Sequence, residues 1–367
     1  MKLLVTHKIL FIIFVFIGLS HAQNSKLDAL YIKEKDSIGK LARSYYYLDF
    51  DKAIALHHEN AKLMKKHHDT LALIRLDNEL LWLFTARMGN LDSTSVYIMK
   101  MENHLPKIKD SVVLGSAYTR IGFGYQIKGY YRTAMENYLS SVDVKEQLPE
   151  HASLGFSYNL VGKIYELQNQ YENSIKFHRK AAKIRSKVED KNHLAHSYTN
   201  MGIVYRKANQ LDSALYYIQR AIEIRKENLS TITRKRQFAT TLKCRGYVFI
   251  ALKRYHEAIS DFEEAISIVN ESDGKYVTIE SYTGLLASYI ELDSDAKAYE
   301  ALLASKKILK EYPIKDLQVI NYDLESQYYY KTGNYKKAYR VNQKRDSLNQ
   351  EIRNENILKN TEELQAL

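Results

Sequence analysis

Apolar and small residues recur along this chain at helical spacing, and the recurrence itself repeats. Tyr158, Gly162 and Tyr165 stand four and three residues apart, so they share one face of a helix. Asn169 and Gln170 then break the pattern as a turn. Tyr171, Ser174, His178 and Ala181 follow at spacings of three, four and three, which marks a second helix. The same pattern returns 40 residues on as Tyr198, Gly202, Tyr205, Leu211, Ala214, Ile218 and Ala221. Forty residues back it reads Tyr118, Gly122, Tyr125, Tyr131, Ala134, Tyr138 and Ser141.

Extended along the chain, the small slot of the first helix falls at Leu41, Trp82, Gly122, Gly162, Gly202, Gly246, Leu286 and Ser326. The steps are 40 or 41 residues, apart from one of 44 before Gly246. Units therefore begin near 34, 75, 115, 155, 195, 239, 279 and 319, and sixteen helices are predicted in a stacked array. A small residue in the first helix lets the second approach closely. The aromatics that flank it fill the space between the two. Pro106, Pro149 and Pro313 all lie where a second helix should end. The four extra residues before Gly246 are expected to lengthen the connection there.

The segments NLVGKIY with Ser174, His178 and Ala181, NMGIVY with Ala214 and Ala221, and CRGYVF with Ala258, Phe262 and Ala265 carry a resemblance. They resemble the tetratricopeptide repeat, most closely in the third to sixth units. The resemblance implies an all-α, right-handed superhelical solenoid of about eight two-helix repeats over 34–348. The units are about six residues longer than that family's usual 34, and most lack its terminal proline. Residues 349–367 are polar, free of Gly and Pro, and read as a C-terminal helix that caps the last repeat or starts a coiled coil, with self-association as one outcome.

Residues 1–22, MKLLVTHKILFIIFVFIGLSHA, have a basic start, an apolar run and small residues at Ser20 and Ala22. That is the layout of a secretory signal peptide, with 23–33 as a lead-in, so the protein is expected to be exported, periplasmic or secreted. No later stretch is apolar enough to span a membrane. The chain also resembles the exported repeat regions of Bacteroidota sensors. There a membrane span and an output domain follow, whereas this sequence ends before either. A stand-alone scaffold is the first reading, and the sensory half of a shortened or split signalling protein is the second.

The formal net charge of +11 speaks for solubility and attraction to anions rather than for a fold. The 30 tyrosines are largely packing residues of the repeat. One cysteine, Cys244, excludes an internal disulfide and a cysteine metal cage. His57-His58 and His67-His68 face different directions on a helix and read as exposed histidines near a helix end. His193 and His196 could share a metal, but no third ligand accompanies them. No paired carboxylates, phosphate loop or nucleophile elbow stand out, so no catalysis, cofactor or metal is expected. Arg225, Lys226, Arg234, Lys235 and Arg236 form either a solvated loop with helix ends or an anion-binding patch.

In stacked repeats the first helices line the concave side. Residues around the small slot should then face a partner there: Asn159, Lys163, Glu166, Asn200, Arg206, Lys243 and Tyr247. Lys and Arg are in excess. The lining suits a protein or an extended peptide with some acidic groups, and no nucleic acid is expected. Some tetratricopeptide domains clamp a terminal carboxylate with repeated Asn. Asn200 fits that slot, but Leu160 and Cys244 occupy it in the neighbouring units, so the clamp is incomplete.

Overall fold

The computed structural model describes residues 28–365 except 47, 89, 150, 151, 190 and 270–273. The expected leader over 1–22 and residues 23–27 of the lead-in lie outside the described residues. Sixteen α-helices are seen among the described residues, and no strands. They form two compact units, 1–109 and 110–367.

The first unit holds α1 (28–44), α2 (Phe50–Lys66), α3 (Thr70–Leu83) and α4 (Leu91–His104). Helix α1 already runs through 28–33, where a lead-in was expected. The carboxylates of Asp49 and Asp69 and the amide of Asn90 cap the N-termini of α2, α3 and α4. Here the repeat register departs from expectation. Leu41 and Trp82, placed in the small packing slot by spacing, are 48% and 37% exposed, whereas Ala42, Leu81 and Leu83 are fully buried. A π-helical turn over Phe84–Met88 follows α3. At Leu41 and Trp82 the helices turn the neighbouring Ala42, Leu81 and Leu83 inward instead.

The second unit contains α5 (Ser111–Lys128), α6 (Tyr131–Glu146), α7 (Ala152–Leu167), α8 (Tyr171–Lys187), α9 (Lys191–Lys207) and α10 (Leu211–Lys226). It continues with α11 (Ile232–Ala251), α12 (Tyr255–Ile268), α13 (Lys275–Glu291), α14 (Asp295–Glu311), α15 (Lys315–Lys331) and α16 (Tyr335–Gln365). Each odd-numbered helix packs on the next even-numbered one, and each pair packs on the following pair. The first helices start a few residues earlier than the spacing suggested: α5 at Ser111 and α11 at Ile232.

The small slots work as close-approach points. A Cβ on Gly162 would sit 2.8 Å from the His178 ring, and one on Gly202 only 2.2 Å from Ile218 Cγ1. The tyrosines beside them stack across each pair: Tyr165 on Phe177 at 5.5 Å and Tyr205 on Tyr217 at 5.4 Å between centroids. Turns within pairs place Gly129, Asn169, Asn209, Lys253, Asp293 and Gly333 in the left-handed conformation.

Two expectations about length change. The extra residues before Gly246 are shared between a five-residue connection, 227–231, and the 20-residue α11, which is three residues longer than α9. The expected boundary at 349 falls inside α16, one continuous 31-residue helix. Its far end returns to the third repeat. Thr133 donates from its backbone N–H and its hydroxyl to Glu363 Oε1, at 2.8 and 2.9 Å. Tyr130 donates to Glu362 at 3.1 Å, and Lys315 pairs with Glu351 at 2.7 Å and with Glu355 at 2.5 Å.

Candidate functional site

Within the second unit, first helices of successive repeats pack directly on one another: α9 on α11, α11 on α13, and α13 on α15. No comparable packing joins successive second helices among the described residues. The stack therefore bends toward its first helices, and their outer-facing residues form its inner face.

A row of charged and aromatic side chains crosses that face from α7 to α13. Lys163 of α7 and Lys207 of α9 both reach Glu166, at 2.9 and 2.8 Å. Glu166 is itself only 3% exposed. Burial alone would raise its carboxyl; the two ammonium groups outweigh that and hold it below the usual carboxylate range. Arg206 of α9 lies over the Tyr247 ring of α11 at 5.7 Å. Tyr247 donates to the backbone carbonyl of Glu280 on α13 at 2.7 Å, while Lys243 pairs with the Glu280 carboxylate and lies 5.7 Å from the Tyr276 ring.

The structure thus sorts the residues expected here. Lys163, Glu166, Arg206, Lys243 and Tyr247 join one row, and Asn200 is half-exposed on the same helix set. Asn159 is a correction. It is 4% exposed, with its amide donating to Ser197 Oγ at 3.1 Å and accepting from His178 Nδ1 at 2.7 Å, so it is spent on packing. His178 is held neutral, with burial pushing it down to about 3. Lys243 is also largely buried, which limits it to its Glu280 partner. Tyr276 and Glu280 were not anticipated. They stand in the first turns of α13, just after Gly274, and the length of the connection before that helix does not by itself set their facing.

A second periodic feature escaped the sequence reading although it was visible there. Lys145, Arg185 and Arg225 recur at 40-residue steps on second helices, and all three are buried. Each donates to hydroxyls and backbone carbonyls. Lys145 Nζ donates to Thr119 Oγ1 and Ser157 Oγ, both at 2.9 Å. Arg185 Nη1 donates to the His193 carbonyl at 2.8 Å and to Ser197 Oγ at 2.7 Å. Arg225 Nη1 donates to the Gln237 carbonyl and to Thr241 Oγ1, the latter at 2.7 Å. Each cation so ties a second helix to the start of the next repeat.

Other candidates resolve simply. His57 is buried against Tyr46, whose hydroxyl lies 2.7 Å from His57 Nε2, rather than exposed at a helix end. His58, His67 and His68 are exposed. Among the described residues, no three His, Cys, Asp or Glu side chains converge as a metal site would require, and no helix is long and apolar enough to cross a membrane. Burial pushes the Cys244 thiol up, away from reactivity. Tyr330 is exposed beside Tyr335 and Tyr339, in an open cleft of about 570 Å³ lined by the end of α13, α15 and α16.

Two tetratricopeptide-repeat family profiles match the chain, over residues 157–227 and 245–268. Both segments are thus similar to tetratricopeptide repeats. They coincide with the fourth to sixth repeats, which carry the inner row as far as α11. No curated protein sequence matches the chain significantly. Solved structures with similar folds include a Rap protein complexed with competence and sporulation factor, 15% identical, covering 89% of this chain and 99% of that one, with a TM-score of 0.60. NprR in complex with its cognate peptide NprX is 12% identical over 85% of this chain and 88% of that one, TM-score 0.59. The apo form of the quorum sensor NprR from B. thuringiensis is 11% identical over 86% and 99%, TM-score 0.55. At these identities the likeness is one of fold: an array of tetratricopeptide-type helix pairs.

Proposed function

We propose that this protein is an exported, non-catalytic scaffold that captures an extended peptide segment bearing acidic side chains along the inner face of α7 to α13. The observation that carries this reading is the row of Lys163, Lys207 and Arg206. These cations sit at least partly exposed on the neighbouring first helices α7 and α9; Lys163 and Lys207 flank Glu166, and Arg206 lies over the Tyr247 ring. An extended strand reads such a face through charge-assisted hydrogen bonds at regular intervals. Two proteins of similar fold are known with a factor or a peptide bound, which supports the class of ligand. The leader-like residues 1–22 support export. Each acid in the row is tied to a base, which suits recognition better than proton transfer.

The test replaces Lys163 and Arg206 with Gln together. Lys207 then still holds Glu166, so the fold is kept. Capture of an acidic peptide by the purified protein should weaken at least tenfold, with thermal stability little changed. Equal capture by the double variant would remove the face from consideration.

The return of α16 to the third repeat favours a second reading, in which this is the sensory half of a split signalling system and α16 passes on the state of the array. Deleting 349–367 would then cancel signalling and leave peptide capture intact. Under the scaffold reading the deletion affects only the ordering of repeats three and eight.

A further inference from the structure

The three buried cations of the second helices share a slot but not a roof. Above Arg185 the connection to the next repeat is three residues, 188–190. Above Arg225 it is five, 227–231. The longer connection stands beside a cavity of about 210 Å³ between the end of α10 and the start of α11. At about 30 Å³ per molecule of liquid water, that is room for roughly seven waters.

Two buried polar atoms of the lining residues have no hydrogen-bond partner among the described residues: Nε of Arg225, a residue only 6% exposed, and Oε1 of Gln237. Nη1 of Arg225 is engaged by the Gln237 carbonyl and Thr241, which fixes the guanidinium at the cavity wall. Arg234 and Lys191 add two further cations to the lining, and Glu227 is its single acid, spent 3.4 Å from Lys191. The Gln237 amide can be turned over to donate instead of accept. Burial without a carboxylate partner holds the Arg225 guanidinium down to about 10. An anion in the cavity would relieve that cost.

We propose that this cavity binds a phosphate-class oxyanion, free or carried on a small molecule, with Arg225 Nε and a turned Gln237 amide at its base and Arg234 and Lys191 at its rim. The guanidinium offers planar N–H donors suited to a phosphate, and the surrounding excess of two positive charges favours the dianion. The site lies at the junction of the fifth and sixth repeats. It shares no residue with the row of Lys163, Lys207 and Arg206.

The full chain is titrated with inorganic phosphate and, separately, with glycerol 3-phosphate, against sodium chloride and sodium acetate at matched ionic strength. Thermal shift and calorimetry are read together. A saturable rise in Tm with one ligand bound per chain is expected. A response to inorganic phosphate assigns the free ion, and a response confined to glycerol 3-phosphate assigns a phosphomonoester. Arg234→Gln, a change at the rim that leaves the core intact, should weaken binding at least tenfold. Gln237→Glu places a carboxylate beside Arg225; it should raise Tm in phosphate-free buffer and abolish the response. No response beyond that in chloride or acetate, or a response unchanged in Arg234→Gln, overturns the proposal. The Lys163 and Arg206 variants keep the phosphate response whatever becomes of peptide capture, so the two readings fail separately.

Discussion

Single residues carry most of the strain between close packing and chemistry here. A methyl at Gly202 would lie 2.2 Å from Ile218 Cγ1 and 3.1 Å from the Ala214 carbonyl, with a backbone unable to yield. Gly202→Ala should therefore cost roughly 1–3 kcal/mol through overpacking. Gly202→Ala should cost less in an Ile218→Ala background, where Cγ1 and Cδ1 are gone, as read by urea unfolding against Ile218→Ala alone. An equal cost in both backgrounds would place the strain elsewhere. Lys145 poses the opposite problem, a charge with little water around it. Burial, with Arg120 nearby, pushes its ammonium down to about 8 from 10.5. Between those values the unfolded chain binds the proton more tightly, so stability contributed by this group rises as pH climbs from about 8 towards 10.5. The penalty is fully present below about 8. Lys145→Met removes the titrating group. Its stability relative to wild type should fall by roughly 2–4 kcal/mol between about pH 7 and about pH 10.5 as the wild type sheds its proton. A constant gap across that range would show that Lys145 stays charged in the fold.

Helices are the most legible level of this protein. Gly122, Gly162, Gly202 and Gly246 mark the close-approach points, because only a residue without a side chain fits against Tyr138, His178, Ile218 and Phe262. Where that slot holds Leu41 or Trp82, the spacing continues but the packing does not, and the observed register differs from the expected one. The inner face is partly legible. Lys163, Arg206 and Tyr247 follow from repeat position. Asn159 does not, because its fate depends on His178 across the pair and Ser197 in the next repeat. The end of α16 is not legible at all, since nothing in local sequence announces a contact made 230 residues away. That contact does a specific job. Helix α6 has no capping side chain of its own at Tyr130, and Glu363 accepts the N–H of Thr133 in place of one. Glu363→Ala should cost about 0.5–2 kcal/mol and expose 350–365 to proteolysis. Unchanged cleavage in that segment would show that the cap does not hold the tip.

For the whole molecule, charge sets the reach and the repeats set the address. A net charge of +11 favours acidic partners of any sequence, whereas under the proposed function the row on α7 to α13 would select those able to lie across several first helices. Peptide association should accordingly slow as salt rises, by about tenfold or more between low salt and about 0.5 M, where the Debye length falls below the spacing of exposed charges. Dissociation should change far less. Stopped-flow measurements separate the two, and a dissociation rate that carried the whole salt effect would argue against contact with the partly buried row. The cap supplied by Glu363 has one more consequence, which concerns the order of events in folding. Contacts inside repeats close short loops. The Glu363–Thr133 bond closes one of 230 residues, and each doubling of loop length adds about 0.6 kcal/mol of entropy cost. The tip of α16 is therefore the last piece to dock and the first to release. The amide proton of Thr133, shielded while that tip is seated, becomes a clock for it: its exchange with solvent times each release of the tip from the third repeat, without any label attached.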